Sequence, residues 1–230
     1  MLILALETST ELGSCALWRD GLVSQRICPG QRPHSETLLP LVRELLAAGE
    51  VRVADLDAIA FGVGPGAFTG LRIACGAAQG LAVAADVPLI PVCSLESMAE
   101  QSAGERVLAL LDARMGEVYS GFYEREAGGA YALRGDIRVL PPGEVALPAD
   151  SGWLACGNGL AAYPALRERV QTAGAAVHPG ILPMADSLVR LAARKAALGE
   201  GIDAAQAAPL YIRDKVAKTV AERLREGGRA

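Results

Sequence analysis

The stretch FGVGPGAFTGLRIACGAAQGLAVAA, residues 61–85, decides how the rest of the chain folds. Its first residues form a short apolar run, which predicts a buried strand ending at Val63. A Gly-Pro-Gly turn at 64–66 follows, and Thr69 is the predicted N-cap of a helix that continues to Ala85. A strand, a glycine-rich turn and a long helix in this order are typical of an α/β fold.

Two glycines interrupt the interior of the predicted helix. Gly76 and Gly80 lie four residues apart among many alanines. Each interior glycine costs roughly 1 kcal/mol relative to alanine, so a helix that keeps two of them indicates close approach of another backbone. Two alternatives stay open, which are tight packing on the helix's own sheet and a close contact with a helix of a partner chain.

The helix divides into two faces at about 100° per residue. One face holds only small or apolar residues and is predicted to lie on the sheet: Gly70, Ala74, Ala77, Ala78, Leu81 and Ala85. The opposite face is mixed and is predicted to contact a partner protein: Arg72, Cys75, Gly76, Gln79 and Val83.

The Gly-Pro-Gly turn also suggests a phosphate loop, but the known motifs are absent. Leu71 and Arg72 follow Gly70, so the pattern G-x-x-x-x-G-K-[ST] does not occur, and neither does G-x-G-x-x-G. The first turn of a helix still offers free N–H groups to an anion, so a weak nucleotide contact remains an alternative.

Length and composition indicate a folded chain with a sizeable core. The chain has 230 residues, of which 51% are hydrophobic and 21% charged, and its net charge is −4. An acidic chain binds nucleic acid poorly by itself, because phosphate neutralisation supplies most of that affinity. Met1 leads directly into a strand-like run and no apolar run reaches transmembrane length, so we expect a cytoplasmic protein without membrane contact.

The cysteines predict reduced thiols. They are odd in number, scattered and without a CxxC pair, and most lie in apolar runs: Cys15, Cys28, Cys75, Cys93 and Cys156. This pattern favours buried free thiols over a disulfide framework or a zinc site.

The remaining elements follow from hydrophobic periodicity and turn signals. The first half reads β-β-β-α-β-α-β-α, with strands at 2–6, 14–18, 22–27, 56–63 and 88–92 and helices at 34–48, 69–85 and 94–103. The second half repeats the pattern less cleanly, with strands at 107–111, 117–123, 131–140 and 153–156, helices at 161–172 and 185–198, and a closing segment at 205–218. We therefore predict subdomains at 1–104 and 105–217, a last helix able to pack back on the first, and a flexible tail at 218–230.

The first helix carries an unusually wide apolar sector. Its leucines and valine recur at the i, i+3, i+4 spacing of one helix face, and Leu39 widens that face. A helix that packs on a single sheet needs a narrower apolar sector than this one. We therefore expect a second helix or a partner to cover part of the sector. The residues predicted to join the partner surface from this helix are His34, Leu38, Leu41, Val42 and Leu45.

Five segments together carry a resemblance that spans nearly the whole chain. They are ALETST, HSETLLPLV, GVGPGAFTGLRIACGAAQGLA, LDARMGEVY and PLYIRDKVA, and they resemble the TsaB family, also called YeaZ. The resemblance implies the actin-like ATPase fold, with two RNase-H-like subdomains whose mixed sheets are flanked by helices. It also implies a non-catalytic scaffold that pairs with the paralogous TsaD subunit, with TsaE as the ATPase, to make N6-threonylcarbamoyladenosine at position 37 of tRNA.

The resemblance to actin-fold enzymes also implies positions for a nucleotide. It places Glu7, Thr8, Ser9 and Asp112 where related enzymes manage magnesium and phosphate. Two carboxylates alone are not sufficient for catalysis, so we expect the chain to bind no cofactor of its own. Binding of ATP or ADP at the interface of the complex remains an alternative. The alternative function is a small-molecule or acyl-phosphate kinase of the actin-like fold.

The metal site of the TsaD paralogues is not matched. Those proteins carry two histidines four residues apart on the first helix, a spacing that lets both bind one ion. Here the two positions are His34 and Leu38, so we expect no metal and no transferase chemistry. A G-x-S-x-G elbow is also absent, and no spacing pairs a cysteine with His34 or His178. The chain is therefore predicted to have no catalytic residues, to reach tRNA only through the complex, and to be able to form a homodimer.

Overall fold

The computed structural model describes residues 1–30, 32–148 and 150–213. Two five-stranded mixed sheets with helices against them make up the fold, so the predicted α/β class is confirmed. The first sheet contains β1 (Leu2–Glu7), β2 (Ser14–Arg19), β3 (Leu22–Ile27), β4 (Ala58–Gly64) and β5 (Leu89–Cys93). The second contains β6 (Arg106–Asp112), β7 (Val118–Arg125), β8 (Tyr131–Leu140), β9 (Trp153–Cys156) and β10 (Ala176–His178). The helices are α1 (His34–Ala48), α2 (Phe68–Ala85), α3 (Ser94–Ser102), α4 (Gly159–Ala162), α5 (Pro164–Thr172) and α6 (Ala185–Ala197).

The two sheets share one topology. The first has the strand order β3-β2-β1-β4-β5, and the second has the equivalent order β8-β7-β6-β9-β10. In each sheet the first three strands along the chain are antiparallel neighbours, whereas the last two pair in parallel. The repeat of one mixed sheet is the arrangement expected of two RNase-H-like subdomains.

The hairpin between β2 and β3 shows how local sequence fixes this topology. Asp20 and Gly21 form its turn with φ angles of 48° and 95°. Two consecutive left-handed residues give the turn twist that matches the right-handed twist of paired strands, and an Asp-Gly pair adopts them at low cost.

Alternation along β1 divides the first core into two layers. Leu4 and Leu6 pack in a cluster with residues of α1 and α2, whereas Ile3 and Ala5 pack with residues of α6 on the opposite face. The last helix of the described chain therefore covers the first sheet, although more than eighty residues separate the end of β5 from its start.

The second sheet is covered by helices that come from both halves of the chain. Leu95 and Met98 of α3 pack with Val107 on one face, while Leu160 of α4 and Leu166 of α5 pack on the other. Helix α3 precedes the predicted boundary after residue 104 but packs on the second sheet, and α6 follows that boundary but packs on the first sheet. Each predicted subdomain therefore contributes a helix to the core of the other.

Several predicted elements differ from the structure. The helix predicted at 161–172 is divided into α4 and α5, because Pro164 begins a new helix at its first position. Helix α2 begins at Phe68 with Ala67 as its N-cap, so the predicted cap Thr69 lies inside the first turn. Strand β10 was not predicted. The closing segment has only a short 3-10 turn at Ala204–Gln206 within its described part, and 214–230, including the predicted tail, lies outside the described residues.

Helix α2 also corrects the statement that no run reaches transmembrane length. Its 18 residues have a mean hydropathy of 1.2, so it could cross a membrane by length and composition alone. Core helices pass the same test, and Ala74 and Ala78 of α2 are fully buried against the first core.

Candidate functional site

The polar turn after β1 is bonded to the start of α2. The Thr8 hydroxyl donates to the carbonyl oxygen of Gly70 at 2.7 Å, and the Ala67 amide donates to the carbonyl oxygen of Ser9 at 2.7 Å. Because Thr8 is fully buried and Ser9 nearly so, these bonds are shielded from water and hold β1 and α2 in one arrangement.

Three glycines make this close approach possible. A Cβ atom on Gly70 would collide with the Thr8 carbonyl oxygen, and one on Gly66 would lie 2.5 Å from the Ser9 carbonyl oxygen. A Cβ on Gly62 would collide with the Glu7 carboxylate. The glycine-rich motif is therefore required by packing between β1, β4 and α2, and it needs no phosphate to explain it.

Glu7 is poorly suited to bind a metal–nucleotide. Its side chain is 0% exposed, and burial raises the pKa of its carboxyl, partly offset by the Ser9 amide, which donates to Oε1 at 2.5 Å. Burial favours the neutral form, which is a weak ligand for magnesium.

A small cleft lies where the two sheets meet. Its free volume is about 70 Å³, and its walls come from both subdomains: Ser9, Thr10, Glu11, Gly66, Ala67, Leu111, Asp112, Ala113, Arg114 and Asn158. Of the predicted nucleotide residues, Ser9 and Asp112 meet here, while the Glu7 and Thr8 side chains are engaged elsewhere. Pockets for ligands of nucleotide size have volumes of roughly 300–1,000 Å³. The free volume of this cleft alone is below that range.

Asp112 instead stabilises the turn after β6. Its carboxylate accepts from the Arg114 amide at 2.9 Å and from the Tyr163 hydroxyl at 3.1 Å, and it forms an ion pair with the Arg114 guanidinium at 3.2 Å. Arg114 and Met115 have φ angles of 59° and 54°, a left-handed conformation that costs free energy in non-glycine residues. The hydrogen bond and the ion pair between Asp112 and Arg114 offset part of that cost.

The exposed face of α2 is a stripe of small residues and one arginine. We call Arg72, Gly76, Gly80 and Val83 the docking stripe. A Cβ atom on Gly76 or Gly80 would have no atom within 4 Å, and Val83 is 73% exposed. These two glycines therefore do not serve packing inside the chain, which removes the first of the two alternatives raised by the sequence.

Two residues predicted on this face lie elsewhere. Cys75 is 4% exposed and belongs to the first core. Gln79 is half-buried, and its side-chain amide donates to the carbonyl oxygens of Ala204 at 2.9 Å and Ala207 at 3.3 Å. The prediction of a direct partner contact is wrong for Cys75, because the helix is rotated so that Leu71, Cys75 and Ala82 also face inward.

The predicted surface on α1 is largely core. Leu38, Val42 and Leu45 are at most 3% exposed, so the prediction that they contact a partner is wrong. The wide apolar sector of α1 is covered within the chain by β2, β3 and α2. Leu41 is half-buried, and Leu39, at 50% exposed, is the exposed large apolar side chain of α1.

His34 is held against the loop after β1. Its Nε2 atom lies 2.8 Å from the Thr10 carbonyl oxygen, and its ring fills the space beside Gly13, where a Cβ would lie 2.7 Å from Nδ1. Within residues 1–30, 32–148 and 150–213, no group of three or more His, Cys, Asp or Glu side chains could hold a metal.

Comparisons with known proteins give the family. An Escherichia coli protein described as tRNA threonylcarbamoyladenosine biosynthesis protein TsaB is 39% identical over 228 residues, covering 94% of this chain and 96% of the relative. The chain belongs to the TsaB family. A Haemophilus influenzae TsaB is 36% identical, covering 93% of this chain and 94% of its own. The family model described as TsaD, tRNA N6-adenosine threonylcarbamoyltransferase, matches residues 27–139.

Solved structures agree with the TsaB assignment. The structure described as YeaZ from Pseudomonas aeruginosa is 42% identical and superposes with a TM-score of 0.83, covering 91% of this chain and 99% of its own. A second Pseudomonas aeruginosa structure, described as similar to peptidase YEAZ, is 42% identical with a TM-score of 0.85, covering 92% and 99%. The resemblance to TsaB and the predicted actin-like fold are confirmed.

Proposed function

We propose that this TsaB-family chain is a non-catalytic partner of a TsaD-like subunit. Together with a TsaE-like ATPase, the pair would form N6-threonylcarbamoyladenosine at position 37 of tRNA. The relatives' names support the pathway, and the match of residues 27–139 to the TsaD family supports a partner of related fold. We further propose contact with tRNA only through the complex, since the chain carries a net charge of −4. We also propose a cytoplasmic location, which the free cysteines support.

The docking stripe carries the proposal. An exposed helix that keeps Gly76 and Gly80 forgoes about 1 kcal/mol of helix stability at each position, and no contact inside the chain requires it. Small residues on a helix surface let a second helix approach closely. Leu39 lies in a groove of about 340 Å³ that is lined by residues of α1, by residues 51–53 and by Leu81 of α2. We propose that this groove and the stripe together form a two-helix surface.

The state of the thiols and of the cleft supports a non-catalytic role. Burial raises the pKa of all five cysteine thiols, to about 12 for Cys15 and Cys156, so the reactive thiolate is disfavoured at neutral pH. The complete burial of Glu7 and the small volume of the cleft that Ser9 and Asp112 line, about 70 Å³, disfavour binding of a magnesium–nucleotide by these residues.

The decisive experiment is co-purification with a TsaD-type subunit from the same cell. Gly76→Leu places a bulky side chain on the docking stripe, where it meets open space in the isolated chain, so the variant should fold and lose the partner. Ala165→Leu is the matched control, because Ala165 is an exposed small residue on α5, far along the chain from the stripe.

The outcomes separate the alternatives. If Gly76→Leu retains the partner as well as the parent chain does, the contact lies elsewhere. If it instead loses only self-association, the stripe serves a homodimer, since a two-fold contact pairs one surface with itself.

Activity assays test the non-catalytic part of the proposal. The purified chain should neither hydrolyse ATP nor modify tRNA alone, and it should restore tRNA modification when added to the other subunits. Tight magnesium-dependent ATP binding by the chain alone would favour the kinase alternative.

A further inference from the structure

A ten-residue segment crosses from the first subdomain to the second. We call residues 204–213 the strap. The strap begins at the 3-10 turn Ala204–Gln206, passes along α2 without regular structure, and ends beside the turn after β6. Just before it, Ile202 forms a two-bond bridge with Leu89 of β5, which fixes where the strap starts.

Three hydrogen bonds join the strap to the first subdomain. The Gln79 amide reaches from α2 to the carbonyl oxygens at both ends of the 3-10 turn, at 2.9 Å and 3.3 Å. Further along, the Leu210 amide donates to the Val63 carbonyl oxygen of β4 at 2.7 Å. The strap is therefore bonded to the C-terminal end of β4, the strand that leads into α2.

An aromatic–cation stack fastens the middle of the strap. The ring of Tyr211 lies 5.7 Å from that of Phe68, and the Arg72 guanidinium lies 3.4 Å from the Phe68 ring centroid and 5.6 Å from that of Tyr211. These contacts join the strap to the first turns of α2 and include Arg72 of the docking stripe.

The end of the strap is fastened to the second subdomain. The Arg213 guanidinium donates to the Ala113 carbonyl oxygen at 3.1 Å and forms a charge-assisted bond with the Glu117 carboxylate. Its side chain is only 16% exposed, and the neighbouring Ile212 packs on the core of the second sheet. Shielding from water strengthens such an ion pair relative to one on the open surface.

We propose that the strap is an interdomain clamp that couples α2 to the turn at 113–117. Its fastenings lie on α2 and β4 at one end and on the turn after β6 at the other. Loss of the contacts at one end should therefore loosen the other end. The strap forms one wall of a cavity of about 310 Å³ between the start of α2 and this turn, so the clamp also sets the spacing of the two subdomains there.

Hydrogen exchange on the full chain tests the coupling. Gln79→Ala removes the fastening on α2 without touching the turn at 113–117. We expect the amides of Leu210, Ala113 and Glu117 to exchange about tenfold faster, the effect of losing roughly one buried hydrogen bond. Gln101→Ala is the matched control, because the Gln101 amide donates to a single backbone carbonyl, that of Leu182, at 2.8 Å outside the strap.

The reciprocal variant completes the test. Arg213→Ala should speed exchange of the amides at 206 and 207, whereas Arg169→Ala, which removes bonds to the Pro142 and Val145 carbonyls, should leave them unchanged. The proposal is overturned if Gln79→Ala affects only residues 204–207, or if Arg213→Ala affects only the turn at 113–117, since each end would then be an independent local contact.

Discussion

Two sets of glycines within one stretch of sequence have opposite surroundings. At Gly62, Gly66 and Gly70 an added Cβ would lie closer than 3.0 Å to Glu7, Ser9 or Thr8, whereas at Gly76 and Gly80 it would meet nothing within 4 Å. The first set is explained completely by packing inside the chain. Packing inside the chain does not explain the second set, and this difference is the basis of the proposed partner contact.

The largest expected effect is at Gly70. Gly70→Ala would force a Cβ atom into the Thr8 carbonyl oxygen, and neither backbone can move without breaking the bond between the Thr8 hydroxyl and the Gly70 carbonyl. Urea denaturation should show a loss of about 3 kcal/mol in the free energy of unfolding. A loss below about 1 kcal/mol would mean that β1 and α2 can separate easily, and the contrast with Gly76 would fail.

A smaller loss is expected at the partner of Gly70. Thr8→Val keeps the side-chain volume but removes the hydroxyl, so the Gly70 carbonyl loses a buried donor. The free energy of unfolding should fall by about 1–3 kcal/mol. Thr69→Val, at an exposed position of α2, is the control and should change stability by less than about 0.5 kcal/mol.

The carboxyl of Glu7, which lies beside Gly62, makes the free energy of unfolding depend on pH. Burial raises the pKa of Glu7 above its usual value of 4.5, so the folded chain retains this proton to higher pH than the unfolded chain does. Stability contributed by the group is therefore present below pH 4.5 and is lost as pH rises through the folded pKa.

Glu7→Gln replaces the titrating carboxyl with an amide, so the variant should not lose stability as pH rises through the folded pKa of Glu7. Unfolding by urea, repeated from acid to neutral pH, should show the variant gaining stability relative to the parent as pH rises. A constant difference between the two proteins across this range would show that the folded carboxyl titrates normally.

The smallest expected effect has the opposite sign. Gly80→Ala should raise the free energy of unfolding by about 1 kcal/mol, because alanine is the better helix former and its Cβ meets open space. The same variant should weaken partner binding if helices pack on the docking stripe. Thermal unfolding and co-purification with a TsaD-type subunit measure the two effects separately, and stronger binding by Gly80→Ala would refute a close helix contact at this position.

The sequence predicts the strands and long helices well because their signals are local. The Asp20-Gly21 turn, the alternation of buried residues and the glycine after α1 each act through near neighbours. The apolar sector of α1 misled the interface prediction, since periodicity shows that Leu38 and Val42 are covered but does not say by what.

Sequence patterns did not predict other features, because those features depend on contacts between residues far apart in the sequence. The strap has no period, and its bonds join Gln79 and Glu117 to residues roughly a hundred positions later. Helix periodicity places Gly70 on the inner face and Gly76 on the outer face, but it does not show that the Thr8 backbone lies against Gly70. A pairing signal from related sequences, or the fold itself, is needed to identify the atoms that a Cβ on Gly70 would meet.

The return of α6 to the first sheet has a consequence for synthesis on the ribosome. N-terminal subdomains usually fold as they emerge, but here the face of β1 that carries Ile3 and Ala5 is covered by Leu188 and Ala192. A nascent chain that has reached only the second sheet thus exposes an apolar layer of its first sheet. The core of the N-terminal half is therefore complete only after α6 has been translated.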